Sequence, residues 1–145
     1  MFFMPPMRVA TQSPNSAWQA VFAEHCGRHE LERIKQVHLA ILATVTKDRN
    51  VSESLFEEAK QIDTGFHTQM VRSLENPIID SIYQTNHERA LLIRLLRLKA
   101  SVPYVKTTFE EHLKIIDAHI DSDVNSAKAT LNEHLDKAIQ RAMGF

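Results

Sequence analysis

Asp63-Thr64-Gly65-Phe66-His67 is the stretch from which the rest of the chain can be read. Asp63 and His67 are four residues apart, so on a helix they project from one face, one turn from each other. Around them Leu55, Phe56, Ala59, Ile62, Phe66, Met70 and Leu74 recur at helical spacing and define a buried stripe, with the Asp–His pair on its edge. The segment therefore reads as a helix over about 52–75, with Ser54 and Glu57 at capping-box spacing near its start. Gly65 inside a helix costs about 1 kcal/mol against alanine, which points to close packing or to room for a ligand.

Outward from this helix the same period continues. Upstream, Leu31, Ile34, Val37, Ile41, Leu42 and Val45 form the apolar stripe of a helix over about 28–47. A shorter helix starts near Asn15 or Ser16, carries Trp18, Val21 and Phe22, and ends before Gly27. Residues 1–14, with three prolines, read as an irregular arm. Downstream, Asn76-Pro77 has the pattern of an N-cap followed by a first helical residue, opening a long helix to about Ala100. On it, Asn86 and Arg97 fall on a mostly apolar stripe, a position from which polar heads commonly reach out to water. Ser101 to Lys106, with Pro103, reads as a loop. Thr107 and Thr108, each with a glutamate three residues on, predict a helix over 108–121. Asp123 caps a last helix carrying Val124, Ala127, Leu131, Leu135, Ala138 and Ile139.

The totals agree with an all-α chain of about six helices. A length of 145 residues suits one domain with a sizeable core. Three glycines and five prolines are few for the turns of a sheet protein. A net charge of −1 with 24% charged residues gives no global nucleic-acid signature. The single cysteine, Cys26, forms no internal disulfide and fits a reducing compartment. No apolar run approaches the roughly 20 residues of a membrane span. The apolar start, Met1 to Pro6, is too short and proline-broken for a signal peptide. The expectation is a cytoplasmic domain.

Two further histidines face inward by their spacing. His112 lies among Phe109, Leu113, Ile115 and Ile116, and His134 follows Leu131 by three and precedes Ala138 by four. With Asp63 and His67 they supply one carboxylate and three imidazoles, a donor set for a divalent transition metal. An octahedral ion held by these four keeps two positions for the oxygens of a bound carboxylate. The competing reading is of core histidines satisfied by hydrogen bonds. His25, His29, His38, His87 and His119 read as surface or cap residues.

Taken together, Asp63-x-x-Phe66-His67, Asn76-Pro77, Glu111-His112-x-x-Ile115-x-x-Ala118 and Asp123-x3-Ala127-x6-His134 resemble the FCD domain. This is the C-terminal effector-binding domain of the fatty-acid-regulator branch of GntR-type bacterial transcription factors. The resemblance covers about residues 28–140, with residues 15–27 standing where the family's first helix would lie. It implies an antiparallel helical bundle over 15–145. It also implies a metal (zinc first, nickel or manganese next) held by the residues matching the family's ligands, Asp63, His67, His112 and His134. A small organic acid would bind at or beside that metal and alter DNA binding by a winged helix-turn-helix domain. Family regulators act as dimers on two half-sites, so a homodimer is implied. The arginine that members commonly supply from the first helix has no counterpart assigned here. The residues before the first helix hold no helix-turn-helix pattern, so DNA binding is expected only through a domain that this sequence does not contain.

Three functions follow from these readings. The first is a metal-dependent sensor domain, in which Arg89, Arg94 or Arg97, with Asn86, would meet the effector's carboxylate. The second is a stand-alone metalloenzyme. For it Glu111 is the conceivable base, but adjacent helical residues diverge by about a hundred degrees, so Glu111 is expected to point away from His112. The third is a structural dimerisation bundle. The first is preferred, and with it no enzyme activity.

Overall fold

A computed structural model describes residues 26–48, 50–73, 75–97 and 102–143, with the side chains of 90–97 and 142–143 outside that description. Five α-helices and no strand occur among the described residues: α1 (Arg28–Lys47), α2 (Glu53–Arg72), α3 (Pro77–Arg97), α4 (Val102–Ile120) and α5 (Val124–Met143). The expected irregular arm over 1–14 lies outside them, as do residues 15–25 of the expected first helix.

The ends of these helices show which local signals were read correctly. Asn76 Oδ1 accepts from the backbone N–H groups of Ile78 and Ile79 at 3.1 and 3.2 Å, so it caps α3 with Pro77 behind it. Asp123 Oδ1 accepts from Ser126 N at 3.0 Å and caps α5. The cap of α2 is Ser52, whose hydroxyl accepts from Leu55 N at 3.2 Å, and not Ser54. The expected loop over 101–106 is mostly helix. Pro103 sits in the first turn of α4, where the missing N–H would have had no intrahelical partner. Thr107 and Thr108 are consequently inside α4 and cap nothing; Thr108 is buried. The α4–α5 turn closes with Asp123 N bonded to Ala118 O and Ser122 N to His119 O, with Ser122 left-handed at φ 55°.

Two apolar clusters order the bundle along its length. One gathers Leu31 and Ile34 of α1, Phe66 and Met70 of α2, Ile115 and Ile116 of α4, and Leu131 of α5. The other gathers Ile41 and Val45 of α1, Leu55 and Ala59 of α2, and Val105 and Phe109 of α4. Numbers rise from the first cluster to the second along α1 and fall along α2 and α4. Hence α1 runs antiparallel to both. Contacts Thr64–His87 and Arg72–Asp80 set α3 antiparallel to α2. Helix α4 is the central element, packed chiefly on α1 and α5 and buried on two faces. Not every apolar position is used: Ile78 and Ile82 of α3 and Val124 and Ile139 of α5 are exposed. No described helix is long and apolar enough to cross a membrane.

Candidate metal centre

Between the two apolar clusters lies a layer of buried polar side chains. On α1 it is His38, between Ile34 and Ile41; on α2 it is Asp63, between Ala59 and Phe66; on α4 it is His112, between Phe109 and Ile115. His134 enters the same layer from α5, and His67 follows Asp63 by one turn at its edge. Thus α2, α4 and α5 each extend their apolar stripe and interrupt it at the same level, and the interruptions meet.

They meet at short range. Asp63 Oδ1 stands 3.2 Å from His112 Nε2 and 3.5 Å from His67 Nε2. His67 Nε2 stands 3.2 Å from His134 Nε2. One nitrogen from each of His67, His112 and His134 falls within 4.8 Å of the others. Ligand atoms placed about 2.0–2.2 Å from a common ion lie roughly 3–4 Å apart, so the spacing suits a single divalent ion. Three of the four residues expected as ligands, His67, His112 and His134, are therefore brought together, and Asp63 stands beside two of them.

What surrounds them sets which ring atoms face that point. His38 Nδ1 lies 2.8 Å from the Ile34 carbonyl oxygen, which only accepts, so Nδ1–H donates there. Burial pushes the His38 imidazole down, against the pull of the Ile34 carbonyl, and the ring is neutral with a lone pair on Nε2. That lone pair lies 3.1 Å from His112 Nδ1, which must donate to it. Burial also pushes His112 down, to about 3, so this ring too is neutral, and with its proton on Nδ1 toward His38 its Nε2 lone pair is free for a metal. His112 Nε2 is fully buried, with Asp63 Oδ1 3.2 Å away. Three contacts run from Ile34 O to Asp63 Oδ1 through two neutral rings, and two rings carry only two N–H protons. A cation at the centre completes the set.

The other side of the site reaches the same result with different groups. His134 Nδ1 lies 2.6 Å from Glu111 Oε2. Arg141 of α5 grips both oxygens of Glu111, each at 3.0 Å, in a bidentate fork. Burial would raise the Glu111 carboxyl, but Arg141 and His134 outweigh it and hold it below its ordinary range, as an anion. His134 therefore donates Nδ1–H to it. Burial pushes the His134 imidazole down, with His67 adding to that and Glu111 opposing, so Nε2 offers its lone pair to the centre. Asp63 behaves likewise: burial would raise it, but the His112 and His67 rings hold its carboxyl well below the usual carboxylate range.

Three expectations are corrected here. Glu111 does not point away; it is 5% exposed and supports His134 directly. The divergence of neighbours on a helix is real, but α4 is covered on two faces, so Glu111 meets α5 where His112 meets α1 and α2. His38 and His119 are not surface residues: both are buried, and His119 Nδ1 donates to Ile115 O at 2.7 Å. The signal was available, since His38 follows Ile34 by four and precedes Ile41 by three, on the α1 stripe. Gly65 meets nothing within 4 Å at the position of a Cβ, so close packing does not explain it.

Asn86 and Arg89 are exposed on α3, while the side chains of Arg94 and Arg97 lie outside the described residues. One turn before His112, the Thr108 hydroxyl is buried and has no hydrogen-bond partner among the described residues. A cavity of about 200 Å³ between α1 and α2 reaches His38 and Phe66, and so backs onto the site without touching the ligand atoms.

Comparison with known proteins adds the family. A solved structure described as "Metal-free FCD domain of TM0439 a putative transcriptional regulator" matches with a TM-score of 0.54 at 22% identity, covering 88% of each chain. That likeness establishes the fold. A search of curated proteins finds no significant match. The family model for the FCD domain matches residues 16–137, most of the sequence, and the chain belongs to the FCD-domain family.

Proposed function

We propose that this chain is the metal-dependent sensor domain of a bacterial transcriptional regulator of the GntR type. It holds a divalent transition metal, zinc before nickel or manganese, on Asp63, His67, His112 and His134, and takes up a small organic acid there. The observation that carries the reading is the convergence of three imidazole nitrogens, with the Asp63 oxygen beside two of them. The FCD family assignment supports the regulatory role.

When bound, the ion supplies an electrophilic centre with positions open to carboxylate oxygens in six-coordination. Asp63 offsets one of its two charges, because imidazole binds a metal as a neutral ligand, and one positive charge is left for a monoanionic carboxylate to meet. Phe66 and Phe109 keep water from the α1 side of the layer. The partnerless Thr108 hydroxyl is a donor available to a ligand in the bundle interior, and Asn86, Arg89, Arg94 and Arg97 of α3 are the proposed polar and cationic contacts of the acid. Because the metal ligands come from α2, α4 and α5, a ligand at the ion bears on three helices at once. It shifts their balance by its differential affinity for the two arrangements, which a DNA-binding partner domain reads. The exposed Ile78, Ile82 and Ile139 offer apolar surface for a homodimer.

An enzymatic role is less well supported. Glu111, the conceivable base, has its oxygens engaged by Arg141 and His134. The test is the melting temperature of zinc-loaded protein across a panel of small mono-, di- and tricarboxylic acids. At least one acid is expected to raise it in a saturable way, and to have no such effect after chelation. A panel without any metal-dependent shift contradicts the sensor reading.

A further inference from the structure

His38 belongs to α1, which contributes no ligand atom to the cluster, yet its placement is as constrained as that of any ligand. The ring is 1% exposed. It is wedged between Phe66, with ring centres 5.3 Å apart and planes at 74°, and Phe109, at 5.0 Å and 43°. Both its nitrogens are committed, Nδ1 to Ile34 O and Nε2 to His112 Nδ1. A buried ring whose only task is to fill the core does not need a second buried ring for a partner; phenylalanine or leucine would fill the same space without two polar atoms to satisfy.

We infer that His38 is a positioning residue of the metal site, holding His112 in the tautomer and orientation that present Nε2 to the metal. The inference rests on the metal reading given above and goes beyond it, since no spacing or motif assigns His38 a role. The direction of the relay is fixed at its far end. The Ile34 carbonyl cannot donate, so His38 must, and its other nitrogen must then accept. His112 Nδ1–H is the donor that meets it, which leaves His112 Nε2 bare. Without a metal, Asp63 Oδ1 at 3.2 Å from Nε2 competes for the His112 proton; with His112 Nε2 on the metal that proton must be on Nδ1, and His38 Nε2 is the acceptor placed to hold it there. Outer partners of this kind commonly contribute 10–100-fold to metal affinity. Here the partner is a neutral imidazole ending on a helix carbonyl, so the device adds no charge to the core.

Two measurements test this. In long-range proton–nitrogen spectra of zinc-loaded wild-type protein, His38 and His112 are both expected as Nδ1–H tautomers, with His112 Nε2 on the metal. A His112 ring bound to the metal through Nδ1, or a His38 ring protonated on Nε2, overturns the proposal. The second is zinc affinity by competition with a chromogenic chelator, alongside chemical denaturation of the metal-free forms. His38→Phe is expected to weaken zinc binding about 10–100-fold. His38→Gln, whose side-chain oxygen can accept from His112 Nδ1–H, is expected to recover most of that loss. A merely structural role would lower the stability of both metal-free variants and leave affinity unmoved. A folded His38→Phe protein with wild-type zinc affinity therefore overturns the proposal; should that variant not fold, the smaller His38→Leu carries the same expectation. Failure of wild type itself to bind zinc would instead remove the metal reading, a different result from either.

Discussion

The two inner histidines of the site, His112 and His134, are oriented through the same ring atom by opposite chemistries. His112 is sealed in the middle of the bundle, with a side chain 0% exposed, and its Nδ1–H goes to a neutral imidazole. His134 sits nearer the surface, and its Nδ1–H goes to a carboxylate held by a guanidinium that is 22% exposed. The difference follows from what each location tolerates. An ion pair between α1 and α4 would have to be stripped of water completely, at a cost its own attraction rarely recovers. At the α5 edge Arg141 keeps contact with solvent and lies over the Tyr104 ring, 6.0 Å from its centre, so the pair is only partly desolvated. One requirement, an Nε2 lone pair aimed at the centre, is thus met by a neutral relay inside and a charged one outside.

That contrast is broken most severely by removing a charge. Glu111→Ala leaves the Arg141 guanidinium and His134 Nδ1–H without their partner, and the loss of one member of a largely buried pair costs about 3 kcal/mol or somewhat more. His38→Phe removes only neutral hydrogen bonds, to Ile34 O and His112 Nδ1, at about 1–2 kcal/mol. Chemical denaturation of the two metal-free variants side by side should show the larger loss for Glu111→Ala. Equal losses would mean that the charged relay is no different in kind from the neutral one.

Acid should act on both relays. His112 is pushed by burial from its ordinary 6.5 down to about 3, and His38 and His134 are lowered by burial as well. Rings that are neutral when folded and protonated when unfolded make the unfolded chain bind more protons. Their contribution is complete above about pH 6.5 and is lost as pH falls towards the folded value, at up to about 1.4 kcal/mol per pH unit for each ring. Below about pH 4, Asp63 and Glu111, both held low in the fold, add a loss of the same sign. The melting temperature of metal-free protein should therefore fall steadily from pH 7 to pH 5. A flat or rising profile would show that the inner rings are not held neutral.

The smallest expected effect serves as a control on both sides. Gly65 lies two residues from both Asp63 and His67, is exposed, and has open space where a Cβ would stand. Gly65→Ala should stabilise α2 by about 1 kcal/mol and leave zinc affinity unchanged. A drop in affinity would tie the site to backbone freedom in α2, which neither relay provides.

What could be read from the sequence follows from what each signal measures. Apolar periodicity located both ends of α1 and placed α2, α3 and α5 closely, and Asn76 and Asp123 announced their helices because their caps act within three residues. The same local logic failed at α4. Pro103 was read as a loop residue when it occupies a first turn, and the glutamates after Thr107 and Thr108 mimic a capping box inside a helix. The convergence of Asp63, His67, His112 and His134 was legible because each interrupts a stripe at helical spacing. Glu111 was missed because periodicity identifies one inward face and a central helix such as α4 has two. His38 lies on the α1 stripe, so its burial was legible there, while the His112 ring it meets belongs to tertiary packing. No single stripe contains that information.

Metal content decides the matter most directly. Purified wild-type protein, loaded with zinc and freed of excess, should carry about one equivalent by elemental analysis. Asp63→Ala and His67→Ala, both substituted at the less enclosed edge of the site and verified as folded, should be depleted. Wild-type protein that retains no zinc, nickel or manganese after incubation with each would contradict the metal-dependent sensor, and the buried histidines would then stand as a hydrogen-bonded core layer alone.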